Sequence, residues 1–248
     1  MNAKLQLNRL LARTGHRLVK TVSYPPDLDP RVIEIVEGIG GRSMTGQVKL
    51  ISLVEATRHL ARTGVEGAMV ECGVWRGGSM MAIARTLVDE GDTGRDLYLF
   101  DTFEGLPEPD EADRRVGDGA SAGAMMTEYS AKGERWAEAS LEDVQAGMAQ
   151  VSYPPERIHY LKGLVEDTIP DGAPERIALL RLDTDWYSST AHELDHLYDR
   201  LVPGGVLILD DYGHWEGARR AVDEFFDARG GAPLMHRIDT GRIAVKPG

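Results

Sequence analysis

Five short apolar runs limit what this chain can fold into. AMVEC (68–72), DLYLFD (96–101), RIHYLK (157–162), ERIALLRLD (175–183) and GVLILD (205–210) read as strands. Helical patterns fall between or after them, over 80–90, 141–149, 188–201 and 216–229. Strands of nearly continuous apolar character cannot leave a face in water. Alternating with helices, they predict a parallel sheet covered on both sides, a Rossmann-like α/β fold. PLMHRI and RIAVKP, joined by a tight DTG turn, predict a terminal antiparallel hairpin. Before the first strand, residues 29–36 and 47–62 look helical, separated by GIGGRSMTG. The expected division is an N-terminal helical cap or lid over residues 1–65 and the α/β domain over 66–248.

Charge and cysteine usage exclude several functions. The 248 residues carry a net charge of -12, and no dense Lys/Arg block offsets it, so no nucleic-acid partner is expected. The single cysteine, Cys72, rules out an internal disulfide and fits a reducing compartment. Inside a strand and with no base beside it in sequence, Cys72 reads as buried rather than catalytic. No apolar run reaches the roughly 20 residues a membrane span needs, so no membrane partner is expected. The basic stretch MNAKLQLNRLLARTGHRLVK lacks the apolar centre of a signal peptide. It reads as a surface helix or frayed terminus, with a membrane-surface or interface helix as the alternative. A cytoplasmic protein able to form a homo-oligomer, a dimer, is the expectation.

In parallel sheets of this kind, ligands sit beyond the carboxyl ends of the strands. Two features occupy those ends. After strand one, Glu71-Cys72-Gly73-Val74-Trp75-Arg76-Gly77-Gly78-Ser79 forms a Gly-rich turn into a helix, where backbone can approach a ligand closely. Gly73 and Gly77 are spaced so that no dinucleotide fingerprint can be drawn. Asp101 ends strand two, where a carboxylate can accept the two hydroxyls of a ribose. Together they suggest an adenosine-type ligand without a pyrophosphate. A tight turn and a loop acid remain the plainer reading of each alone.

The second feature is a density of acids. Asp183 and Asp185 end strand four, and Asp210 and Asp211 end strand five. Adjacent parallel strands would bring these ends about 5 Å apart. The carboxylates would then repel unless some stay protonated or a hard divalent cation joins them. Mg²⁺ fits an all-oxygen donor set and can ease loss of a proton from a bound hydroxyl. His214 follows closely, and Trp186, Tyr187, Tyr212 and Trp215 flank the acids as candidates for stacking on a substrate. The stretch 108–135, rich in Gly, Ala and acids, reads as a loop or lid.

At this point the chain resembles the macrocin O-methyltransferase family, whose members methylate sugar hydroxyls of glycosylated natural products. RSMTG (42–46), VECGVWRGGS (70–79), LFDTFEGLP (99–107), LKGLVEDTIP (161–170), LRLDTDWYSST (181–190) and LVPGGVLILDDYGHWEGARRAVDEFF (201–226) carry the resemblance. It implies a class I methyltransferase fold, a mostly parallel seven-stranded sheet, with S-adenosylmethionine and Mg²⁺. It implies Asp183, Asp210 and Asp211 as metal ligands and Asp185 as the general base. It places Glu71, Gly73 and Ser79 near the methionine part of the cofactor and Asp101 on its ribose. Met44 and Thr45 would reach it from the cap, with Gly163 and Asp183 completing the cofactor set. Leu164 stands where relatives often carry an aromatic residue, and Ser43 where Thr or Tyr is usual. The implied acceptor is a glycoside or a sugar nucleotide. A DxD glycosyltransferase would explain Asp183 and Asp185 but neither Asp210/Asp211 nor the Gly turn. A nicotinamide oxidoreductase would lack its fingerprint, and a non-catalytic adenosine-binding module has no need of four carboxylates.

Overall fold

The computed structural model describes residues 24–248. The basic N-terminal stretch read as a surface, membrane-surface or interface helix lies outside them. The cap helices are α1 (Pro30–Gly38) and α2 (Gln47–Thr63). Then come β1 (Ala68–Cys72), α3 (Gly78–Glu90), β2 (Leu97–Asp101), α4 (Ala122–Ala131) and α5 (Leu141–Met148). The rest is β3 (Ile158–Lys162), α6 (Val165–Thr168), β4 (Ile177–Leu182), α7 (Tyr187–Leu197), β5 (Leu201–Leu209), α8 (Glu216–Asp227), β6 (His236–Ile238) and β7 (Gly241–Val245).

The strands form one sheet in the order β3-β2-β1-β4-β5-β7-β6. Four of the six strand pairings are parallel, and β7 runs antiparallel to β5 and to β6. This is the expected parallel sheet with a terminal hairpin. Every residue of β1 and β4 is buried, which is why those runs show no alternation. One apolar core lies between the sheet and α1, α2 and α3, containing Val32, Leu53, Leu60, Met80 and Leu87. The other lies under α7 and α8, with Leu194, Leu197, Val222 and Phe226. The cap helices therefore share the sheet's own core. The chain reverses direction across the sheet between β1 and β4, so a crevice opens where the loops after these two strands diverge. No helix among the described residues is long and apolar enough to cross a membrane.

The stretch 108–135 is more ordered than a plain loop. Ser121 caps α4 by accepting from the Ala124 amide. Backbone bridges join Arg114 to Ser121 and Arg115 to Trp215. The carboxylate of Asp113, 1% exposed, accepts from the amides of Tyr187 and Asp110. A third, small core ties this arm down: Ala122 and Met126 pack with Trp186, Trp215 and Ala218.

Candidate active site

A cavity of about 500 Å³ fills the crevice. The turn after β1, the end of β2, the cap segment 43–46 and the acid-bearing ends of β4 and β5 all line it.

The turn after β1 is built by close backbone packing. Gly73 has φ +83, and a Cβ there would lie 1.9 Å from the Asp183 carbonyl oxygen. Its smallness thus serves the β1–β4 junction, where the Asp183 amide donates to Cys72 O, rather than an approach to ligand. Asp101 organises the turn. Its Oδ2 accepts from the amides of Val74 and Trp75 at 2.7 and 2.9 Å, and its Oδ1 from Phe103 at 2.7 Å. Burial raises its pKa, and these three amides oppose the rise.

The acid end is built differently. Leu182 of β4 pairs with Leu209 of β5, so Asp183 and Asp210 leave the sheet side by side. Carboxylate oxygens of Asp183, Asp210 and Asp211 lie within 4.8 Å of one another. Two cations serve this cluster. Arg181, 1% exposed, donates to Glu71, to Asp210 Oδ1 at 2.6 Å and to Thr45 Oγ1 at 2.8 Å, and pairs with Asp183 at 2.8 Å. Lys49 Nζ, from α2, donates to Asp210 Oδ2 at 2.5 Å and to the Asp210 carbonyl at 2.9 Å. Burial works against the Asp210 charge, yet Arg181 and Lys49 hold its pKa below the usual carboxylate value.

The other acids lack such support. Burial, then repulsion from Asp210 and Asp211, pushes Asp183 well above its ordinary pKa despite Arg181. Burial and the charges of Asp185 and Asp210 do the same to Asp211. Asp185 is pushed up to about 8, by burial first and the Asp183 charge second. Glu71 is pushed up to about 7 by burial, against Arg181, and its Oε2 is sealed without a hydrogen bond. Five carboxyls (Glu71, Asp183, Asp185, Asp210, Asp211) thus face two cations (Lys49, Arg181).

Asp185 sits at φ +69, a left-handed backbone that costs a non-glycine residue about 1 kcal/mol, though Asp tolerates it better than most. Its amide donates to Asp211 Oδ2 at 3.2 Å, and its Oδ1 accepts from Trp215 Nε1 at 2.6 Å.

Of the residues singled out from sequence, Met44, Thr45, Gly73, Ser79, Asp101, Gly163, Asp183, Asp185, Asp210 and Asp211 line the cavity. Glu71 does not line it: it is wholly buried, because its position in the middle of the sheet turns it toward Arg181. His214 lines the cavity, and burial with the nearby charges of Lys49 and Arg115 lowers its pKa, favouring the neutral ring. Among the stacking candidates only Trp215 lines the cavity. Trp186 is buried at 1% exposure, and the lining indoles besides Trp215 are Trp75 and Trp136. Cys72 is buried, and burial raises its thiol pKa, as expected of a structural cysteine.

Sequence reasoning missed Lys49, Arg181 and Trp136. Arg181 carried a signal: it is the one charge inside the otherwise apolar run IALLRL, and a buried arginine demands carboxylates. Lys49 carried none, since a lysine on an amphipathic helix reads as surface.

A sheet of this order with its cavity at the β1/β4 reversal defines the class I methyltransferase architecture. The solved O-methyltransferase NovP superposes with a TM-score of 0.70 at 28% identity, covering 84% of this chain and 83% of NovP. The family model for macrocin-O-methyltransferase (TylF) matches residues 29–246. A tetracenomycin rhamnosyl 4'-O-methyltransferase from Streptomyces olivaceus is 34% identical over 215 residues, covering 86% of this chain and 78% of the relative. Mycinamicin III 3''-O-methyltransferase from Micromonospora griseorubida is 32% identical over 198 residues, covering 79% and 75%. The chain belongs to the macrocin-O-methyltransferase family and is an S-adenosylmethionine-dependent O-methyltransferase. The glycosyltransferase, oxidoreductase and binding-module readings fall away with that assignment.

Proposed function

We propose that this enzyme methylates a sugar hydroxyl of a glycosylated natural product or of its nucleotide-sugar precursor, with Mg²⁺ at the acid cluster and Asp185 as base. The observation that carries the reading is one continuous cavity that joins the Gly turn and Asp101 to four aspartates at the ends of β4 and β5. The relatives named above act on sugar hydroxyls of antibiotics, which supports the acceptor class.

The residues fit both groups. Asp183, Asp210 and Asp211 offer converging hard oxygen donors. The excess of carboxyls over cations, in a site where burial first and mutual repulsion second raise the pKa values of Asp183 and Asp211, marks charge that a divalent cation would balance. Such a cation would supply positive charge beside the acceptor hydroxyl and ease loss of its proton. For the cofactor, Met44 and Thr45 reach in from the cap and Gly73, Ser79, Gly163 and Asp183 line the wall. Asp101 supports the cofactor mainly by shaping the turn, since three amides already occupy its oxygens. The sulfonium cation suits a cavity whose charged lining is mostly acidic, with Lys49 and Arg181 its lining lysine and arginine.

The chain's own residues do two things in this reaction. Lining both ends of one cavity, they would bring cofactor and acceptor together, which removes much of the entropic barrier. Asp185 accepts the hydroxyl proton as the oxygen–methyl bond forms. Bound S-adenosylmethionine would supply the methyl group, the electrons of its carbon–sulfur bond passing to sulfur. The test is methyl transfer to a panel of deoxysugar glycosides and sugar nucleotides, read by mass with and without Mg²⁺ after chelation. Methylation of a sugar hydroxyl that stops on chelation is expected. Transfer that is indifferent to metal would remove Mg²⁺ from the reading, and transfer only to non-sugar hydroxyls would overturn the acceptor.

A further inference from the structure

We infer that Trp215 is a positioning residue for Asp185, aiming its carboxylate through the indole N–H rather than merely filling the core. The inference rests on the proposed role of Asp185 as base.

The two buried indoles beside the acids solve the same problem in different ways. A buried Trp needs a partner for its N–H. Trp186 finds an ordinary one, the carbonyl of Pro107 at 2.9 Å. Trp215 instead donates across to the next strand-end loop, to Asp185 Oδ1 at 2.6 Å. Both are 1% exposed, so both N–H groups needed satisfying, but only one was given a carboxylate of the cavity. The bond leaves Asp185 Oδ2 with no hydrogen bond from the described residues, on a side chain that lines the cavity.

Trp215 is itself held firmly. Its amide donates to Asp211 O at 3.0 Å, its backbone bridges Arg115, and its ring meets Trp186 edge-on with centroids 5.1 Å apart. Trp136 closes the triad, at 5.8 Å from Trp186 and 5.9 Å from Trp215, with Tyr129 stacked on it at 5.2 Å. Indoles locked this way cannot swing, so the N–H fixes one oxygen of Asp185. The left-handed backbone at Asp185 meanwhile turns its amide onto Asp211 Oδ2, so main chain and carboxylate are each held by a separate bond. A base fixed to a few tenths of an ångström is worth more in kcat than in binding.

The experiment replaces Trp215 with 3-benzothienylalanine, which keeps the ring shape and puts sulfur in place of N–H, alongside Trp215→Phe and Asp185→Asn. The isostere should lower kcat about tenfold or more, the scale of a lost hydrogen bond to a charged group. KM for both substrates and the melting temperature should stay close to native. Trp215→Phe should lower kcat at least as much; if it fails to fold, the isostere decides alone. Native kcat in the isostere overturns the positioning role, as does a parallel change of kcat, KM and melting temperature, which marks a packing role. An Asp185→Asn enzyme that keeps its turnover removes the base itself and the positioning role with it. An inactive Asp185→Asn enzyme beside a native isostere sinks only the positioning role.

Discussion

The two ends of the site handle carboxylates in opposite ways. At the end of β2, burial raises the pKa of Asp101, but three backbone amides from its own and the neighbouring turn meet its charge. At the ends of β4 and β5, Asp183, Asp185 and Asp211 sit with raised pKa values, and only Asp210 has enough cations to stay below normal. The first end is a finished structural element that shapes a wall. The second is left short of positive charge, which is the condition under which a metal ion and a proton-accepting base can operate.

The sharpest way to break this contrast is at Asp185. Asp185→Asn should lower kcat by about 10²- to 10⁴-fold, the usual worth of a general base, while calorimetry finds S-adenosylmethionine affinity nearly unchanged. Equal losses in binding and turnover would make Asp185 a wall residue like Asp101. Next comes Arg181→Met, which strips the acid end of its central cation and leaves Glu71, Asp183 and Asp210 facing one another. Urea denaturation should show a loss of about 3–5 kcal/mol. An unchanged midpoint would mean that the acids manage without it. Asp101→Asn should cost less, about 1–3 kcal/mol, because an amide turns one acceptor oxygen into a donor facing the turn amides. Cofactor affinity should drop with it, and full affinity in a stable variant would free the turn from its dependence on Asp101.

The smallest effect concerns pH. Glu71 and Asp185 have folded pKa values of about 7 and about 8, above their ordinary 4.5 and 3.8. Between those limits the folded chain binds more protons than the unfolded one, so its stability falls as pH rises through that window. Metal-free protein should therefore melt at a higher temperature near pH 6 than near pH 8, and saturating Mg²⁺ should flatten the slope. A metal-free profile that rises with pH would show that the acid end is already neutralised.

Much of this was legible from sequence. The five β/α repeats and the hairpin came from apolar runs, because burial on both faces leaves no alternation to disguise a strand. The start of β5 was misplaced: it begins at Leu201, ahead of the PGG turn, because its first residues pair with β4 at Ile177. Helix α4 was missed because its sequence, AGAMMTEYSA, has no clear apolar stripe, and its place is fixed by the indoles it packs on.

The sequence by itself determined that acids end β2, β4 and β5, since a strand's end is a local property. Which groups answer those acids was decided only by the tertiary structure. Lys49 meets Asp210 across 161 residues, Arg181 meets Glu71 across 110, and the Trp215 indole reaches Asp185 across 30. Periodicity reports which way a side chain points along its own element. The order of strands in the sheet, and the cap laid over it, decide what it meets there.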